Sequence, residues 1–187
     1  GNYGRLGYGD TNNRGDGSGE MGDNLPLVDV DGSVVSMSTG HIHTCVMLTD
    51  FNVKCWGYNV QGQLGHGDTV QIGDEAFEMG SYLAVTDVGS NVYPSFIASG
   101  QLHNCIAFVN GQVKCWGYND QGQLGYGDTN SRGDGANEMG NKLPSVDLPT
   151  GVDIDAIATG HYSTIIISTF SSSWIIFFTI LTHHTFV

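Results

Sequence analysis

The apolar residues of this chain come in short runs separated by glycine-rich polar stretches. Val34–Thr39 and Phe96–Ser99 are rich in apolar residues, and each stops at a glycine. Ile42–Thr49 and Leu102–Val109 follow, then a turn, then Val53–Gly57 or Val113–Gly117. The later turn contains Asn110-Gly111, a strong short-range hairpin signal. Leu83–Val88 and Leu143–Leu148 add a fourth stretch before the next run begins. The pattern predicts short strands, four to a unit, and no substantial helix within Val34–Gly117.

The units are copies of one another. Gly40, Cys45, Lys54, Cys55, Trp56 and Gly57 return at Gly100, Cys105, Lys114, Cys115, Trp116 and Gly117, always 60 positions later. Between Gly40–Thr69 and Gly100–Thr129, 18 of 30 positions are identical, far beyond chance. A further copy shows at the start, where Leu6-Gly7 and Gly9-Asp10 match Leu64-Gly65 and Gly67-Asp68 at an offset of 58. The missing two residues fall between Gly22 and Gly40, in an expected connecting loop. Four short strands per repeat predict an all-β fold of antiparallel propeller blades rather than a solenoid or a sandwich.

His-x-Cys, an apolar strand, a turn, Val-Lys-Cys-Trp-Gly and Tyr-Asn-x-Gln-Gly-Gln-Leu-Gly-x-Gly-Asp together resemble the blade signature of the regulator of chromosome condensation family. Its framework here is Trp56, Gly57, Gly62, Leu64 and Gly65, repeated as Trp116, Gly117, Gly122, Leu124 and Gly125. The resemblance covers Gly1 to about Thr164 and implies about two and a half blades of a seven-bladed propeller. It also suggests, as an activity, guanine-nucleotide exchange on a small GTPase. No partner-facing wedge matches a position here, and a Cys pair in each hairpin departs from the founding member. Each motif glycine suits a positive φ or a close approach of blade to blade. Each tryptophan reads as core with an N–H in need of a partner.

Composition supports strands and turns: 28 glycines, 4 prolines and 13% charged residues. The net charge is -13, with every acidic group at or before Asp155. Such a field repels phosphate backbones, which argues against nucleic acid and for a basic partner or cations. Gly1 is not an initiator methionine and the chain opens inside a recurring motif, so the sequence is expected to be a fragment of a longer protein.

Nothing in the sequence forms a nucleophile elbow, a phosphate loop or a zinc-protease helix, and a non-enzyme is expected. The cysteines pair by spacing, Cys45 with Cys55 and Cys105 with Cys115. A three-residue loop centred on residue 110 would set Cys105 opposite Cys115; a two-residue Asn110-Gly111 loop would set it opposite Trp116. Disulfides in an oxidising compartment and four buried thiols both fit the spacing. His43 and His103 read as core residues bonded across strands rather than metal ligands, and Ser163 stands there in the third copy.

Three acidic sets recur: Asp10, Asp16 and Glu20; Asp68, Asp74 and Glu78; Asp128, Asp134 and Glu138. Their loops are oxygen-rich enough for a hard cation such as Ca²⁺, although turn-forming acids explain the same pattern and carry more weight. No other cofactor is indicated. Arg14-Gly15-Asp16 and Arg132-Gly133-Asp134 spell an adhesion tripeptide, best read as repeat ancestry, since the middle copy has Ile72-Gly73-Asp74.

Residues 165–187 break the sequence repeat. Ala156 to Val187 holds no charged side chain other than histidine; Ala156–Thr164 still follows the blade pattern, and 165–187 reads as a non-native end or as a membrane segment lacking the usual flanking cations. The functional expectation is a non-enzymatic scaffold binding a protein partner. The alternatives are the exchange factor, or a receptor ectodomain if the cysteines are bridged and the tail spans a membrane.

Overall fold

The computed structural model describes residues 1–170 and 175–180, with side chains to residue 168. Three antiparallel sheets follow one another along the chain. The first contains β1 (Val34–Thr39), β2 (His43–Leu48) and β3 (Val53–Gly57). The second contains β4 (Pro94–Ser99), β5 (His103–Phe108) and β6 (Val113–Gly117). The third contains β7 (Val152–Thr159), β8 (Thr164–Phe170) and β9 (Ile175–Ile180). Among the described residues the only helical segments are four single 3₁₀ turns.

Each sheet opens on the same irregularity. The register slips between Val34 and Ser36, between Pro94 and Phe96, and between Ile154 and Ala156. An extra residue at one place in every first strand is a β-bulge, which sharpens the twist that a blade needs. Pro94 is tolerated because it is the first residue of its strand. In the bulge beside it, Ser95 Oγ donates to the Ala107 carbonyl at 3.1 Å.

Sequence and structure part at the fourth strand. Leu83–Val88 and Leu143–Leu148 run beside the sheets without forming strands. Thr86 N–H donates to the Val53 carbonyl, and Val146 N–H to that of Val113, both at 2.8 Å. Elsewhere the first segment spends its backbone on other partners: the Val88 carbonyl accepts Lys114 Nζ, and the Asp87 carbonyl accepts Gly140 N–H. A backbone claimed by side chains and loops cannot also complete a ladder.

The boundary expected after Thr164 also shifts. Thr164–Phe170 and Ile175–Ile180 are paired strands that complete the third sheet, with Ile166 inside its core. Runs of β-branched and aromatic residues satisfy a strand without the blade motif. No helix of the described residues is long and apolar enough to cross a membrane. Residues 171–174 and 181–187 of that tail lie outside the described residues.

The cores lie between sheets. β2, β3, β5 and β6 are buried at every position, because both faces of each hairpin are covered. The Cys45 and Cys55 face of the first sheet packs on Ile106, Phe108 and Trp116 of the second. The Cys105 and Cys115 face of the second packs on Ile166 of the third. The opposite face of the first sheet carries Trp56, Val46 and Leu48, packed with Val30 and Leu83.

Candidate interaction surface

The hairpin loops fix which residues meet. Leu48 N–H donates to Asn52 and Phe51 N–H returns to the Leu48 carbonyl, closing a three-residue loop. Val109–Gly111 closes identically, so of the two registers open to the sequence the three-residue one forms. Cys45 then opposes Cys55, and Cys105 opposes Cys115. With Leu48–Asn52 and Ile42–Tyr58 as hydrogen-bonded pairs, alternation makes Cys45–Cys55 a non-hydrogen-bonded pair, where Cα atoms approach most closely. Their Cα atoms are 4.1 Å apart in both hairpins, and each pair is a disulfide buried between sheets.

The motif tryptophans and histidines belong to a circuit that ties blade to blade. Trp116 Nε1 and Asn104 Nδ2 both donate to the Gln63 carbonyl, at 3.0 and 2.6 Å. Trp56 Nε1 and Thr44 Oγ1 donate likewise to the Arg5 carbonyl. Because Asn104 spends its amide hydrogens there, its Oδ1 faces His43 Nε2 at 3.0 Å as an acceptor. His103 Nε2 donates to Thr164 Oγ1 at 3.1 Å, while that hydroxyl donates to the Gln123 carbonyl. Burial pushes both imidazoles down to about 4, His103 further disfavoured by the charge of His43. They are neutral core residues.

The glycines leave room for this circuit. A Cβ on Gly40 or Gly100 would fall inside the ring of His43 or His103. At Gly62 (φ +71°) it would overlap the backbone of Gly133 and Asp134 in the neighbouring repeat's loop. Gly57, Gly65, Gly117, Gly122 and Gly125 also have positive φ, while Leu64 and Leu124 are wholly buried.

The acidic loops do not gather their carboxylates around a common point. Among the described residues no three His, Cys, Asp or Glu side chains converge as metal ligands would. Most of these acids are instead satisfied within their own loops. Asp10 pairs with Arg14 at 2.7 Å and Asp128 with Arg132 at 2.8 Å, and these guanidiniums hold both carboxyls below the usual range. Asp68 accepts Val70 N–H and Asn59 Nδ2. Glu20 and Glu138 each accept two backbone N–H groups, from Gly15 and Gly17 and from Gly133 and Gly135. Glu78 accepts three, from Gly73, Asp74 and Glu75. Of the remaining acids, Asp134 has its pKa raised by burial and by Glu138 beside it. Asp16 accepts Asn13 Nδ2 at 3.1 Å. Arg14 and Arg132 lie over Tyr8 and Tyr126, 4.7 and 4.1 Å from the ring centroids, so neither adhesion-like tripeptide presents a free guanidinium.

Three features escape motif reading. Lys54 and Lys114 are buried, their ammonium groups on the carbonyls of Val30 and of Val88 and Gly140. Tyr126 Oη accepts Cys115 N–H and can donate to the carbonyls of Cys115 and Pro144. In the middle repeat His66 takes that place, and its Nε2 is buried without a partner. Their signal was repetition at a fixed offset, which says that a position matters but not why. The third feature is outside: Phe77 and Tyr82 are 78% and 66% exposed.

Stacked antiparallel sheets joined by buried cross-blade bonds, with glycine-rich loops outside, define an all-β blade protein. Residues 95–123 and 110–167 each match the regulator of chromosome condensation (RCC1) repeat, so that stretch is built of repeats of this family. It is 28% identical over 137 residues to the ultraviolet-B receptor UVR8 of Arabidopsis thaliana, covering 71% of this chain and 27% of the receptor. Protein RCC2 homolog of Danio rerio is 35% identical over 101 residues, or 54% of this chain and 19% of that protein. Among solved structures, Prp20p of Saccharomyces cerevisiae aligns with a TM-score of 0.52 at 28% identity, over 72% of this chain and 28% of Prp20p. Human WBSCR16 aligns with a TM-score of 0.61 at 16% identity, over 91% of this chain and 39% of that one, a likeness of fold. The chain therefore spans about a quarter of the length of the receptor, and less of the other curated relatives it matches.

Proposed function

We propose that this chain is part of a non-enzymatic scaffold whose loops bind a protein partner. One contrast carries the reading. The buried tryptophans, histidines and lysines of successive repeats do the same structural work, while matching loop positions differ: Gly19, Phe77 and Asn137 share one place, and Asn24, Tyr82 and Lys142 another. A constant interior with variable loops is how a scaffold varies what it binds. The two buried disulfides suit an oxidising compartment, which keeps a receptor ectodomain among the readings.

The second reading is an exchange factor for a small GTPase. It draws on the 28% identity to Prp20p, whose structure was described together with its binding to Gsp1p and histones. Two experiments decide. Exchanging loop 73–82 for its counterpart 133–142 should abolish capture of a specific partner without lowering the melting temperature. Retention of every partner by that variant would defeat the scaffold reading. Nucleotide release from a panel of small GTPases should stay at its spontaneous rate, and acceleration of any member would replace this reading with the second.

A further inference from the structure

Phe77 occupies a backbone conformation that disfavours it. Its φ is +68°, where the sister repeats place Gly19 and Asn137, at +81° and +65°. A bulky residue at positive φ is strained, and strain without a packing return calls for another reason. Packing gives little such return, since the ring is 78% exposed and lies edge-on to Tyr82, centroids 5.8 Å apart.

The loop beneath is rigid. Glu78 ties down three successive N–H groups, one more than its counterparts do. The loop backbone packs so closely on the preceding repeat that a Cβ on Gly4 would overlap Gly73 and Asp74. The aromatic pair is thus held outward at little further entropic cost on binding.

Its surroundings are anionic. Glu75 is exposed two residues before Phe77, and an Asp29 carboxylate oxygen sits against Gly80, two residues before Tyr82. Of the chain's six cations, Arg14 and Arg132 are ion-paired, and Lys54 and Lys114 are buried. The counterpart of Tyr82 in the third repeat is Lys142, so the acidic aromatic character belongs to the middle loop alone.

We propose that Phe77 and Tyr82, in a loop that also carries Glu75 and packs at Gly80 against Asp29, form a docking point for a lysine- or arginine-bearing segment of a partner protein. The ring faces take the cation and aliphatic stem, and the carboxylates steer and hold the charge. This rests on the scaffold reading and names one partner chemistry for it.

The test uses the full chain and three labelled twelve-residue peptides, alternating glycine with arginine, with glutamate or with norleucine, followed by fluorescence anisotropy. The variant F77N/Y82N borrows residues from the sister repeats, so it should melt no lower than the parent. The arginine peptide should bind the parent and bind the variant roughly ten-fold more weakly, the loss of a pair of cation–π contacts. The glutamate and norleucine peptides should not bind. Equal affinity of the arginine peptide for parent and variant would assign binding to the diffuse acidic field and overturn the proposal. So would equal binding of the norleucine peptide, or no binding of the arginine peptide. Each failure leaves the scaffold reading standing, because that reading depends on loss of a folded partner when loop 73–82 is exchanged.

Discussion

At His66 the middle repeat lacks an anchor that its neighbours have. Tyr8 Oη donates to the Pro26 carbonyl and Tyr126 Oη to that of Pro144, while His66 Nε2 is buried with no partner. Burial holds this imidazole below its ordinary pKa, and the nearby Asp68 only partly offsets it. His66→Tyr should restore the anchor and raise stability by about 1 kcal/mol, read as a higher melting temperature at pH 7.5. His43 and His103 set the acid limit. Each is about 4 in the folded chain against an ordinary 6.5, so the unfolded chain binds protons first as pH falls. Their stabilising share is complete above pH 6.5 and drains away towards pH 4, at up to about 3 kcal/mol per histidine. His103→Ser, which copies Ser163 of the third repeat, should melt lower at pH 7.5 but lose less between pH 7 and 4.5. A fall as steep as the parent's would refute this account.

At the scale of single elements, the glycines and disulfides divide the work. Gly62 combines a positive φ with backbone contact, whereas Gly151 has φ +79° and nothing within 4 Å of a would-be Cβ. Gly62→Ala should therefore cost about 2–4 kcal/mol and Gly151→Ala about 1 kcal/mol, compared by urea unfolding. Each disulfide spans ten positions across a hairpin, for which loop-closure entropy predicts about 2–3 kcal/mol. Reduction should leave the register intact, since the three-residue loops and backbone ladders set it. A thiol count in denaturant without reductant should find none, and adding reductant should lower the melting temperature while preserving the far-ultraviolet spectrum.

Over the whole molecule the charge of -13 opposes compactness, and most of the basic side chains are already paired or buried. Raising NaCl from 10 to 300 mM should raise the melting temperature as repulsion is screened. CaCl₂ at matched ionic strength should add nothing, because the repeated loop glutamates are already bonded to backbone N–H groups and Asp10 and Asp128 to arginine. A calcium-specific rise would restore the cation reading that this geometry argues against.

The repeat, the strand positions in the first two sheets and the framework of Trp56, Gly62 and their copies could be read from the sequence. Periodicity and glycine spacing are local properties that a linear pattern records. The choice between a two- and a three-residue hairpin loop could not, because both fit Asn110-Gly111 and only the ladder selects one. Nor could the fate of Leu83–Val88, whose strand-like pattern lost its ladder to Lys114 and to the loop at Gly140. The strands of the third sheet needed a neighbour, Ile166 against Cys105 and Cys115, to become part of a blade rather than an apolar tail. The acidic triads show the limit most plainly. Sequence placed three carboxylates in one loop, but direction in space, set by Arg14, Arg132 and rows of backbone N–H groups, decided that they would brace the loop instead of meeting around a cation.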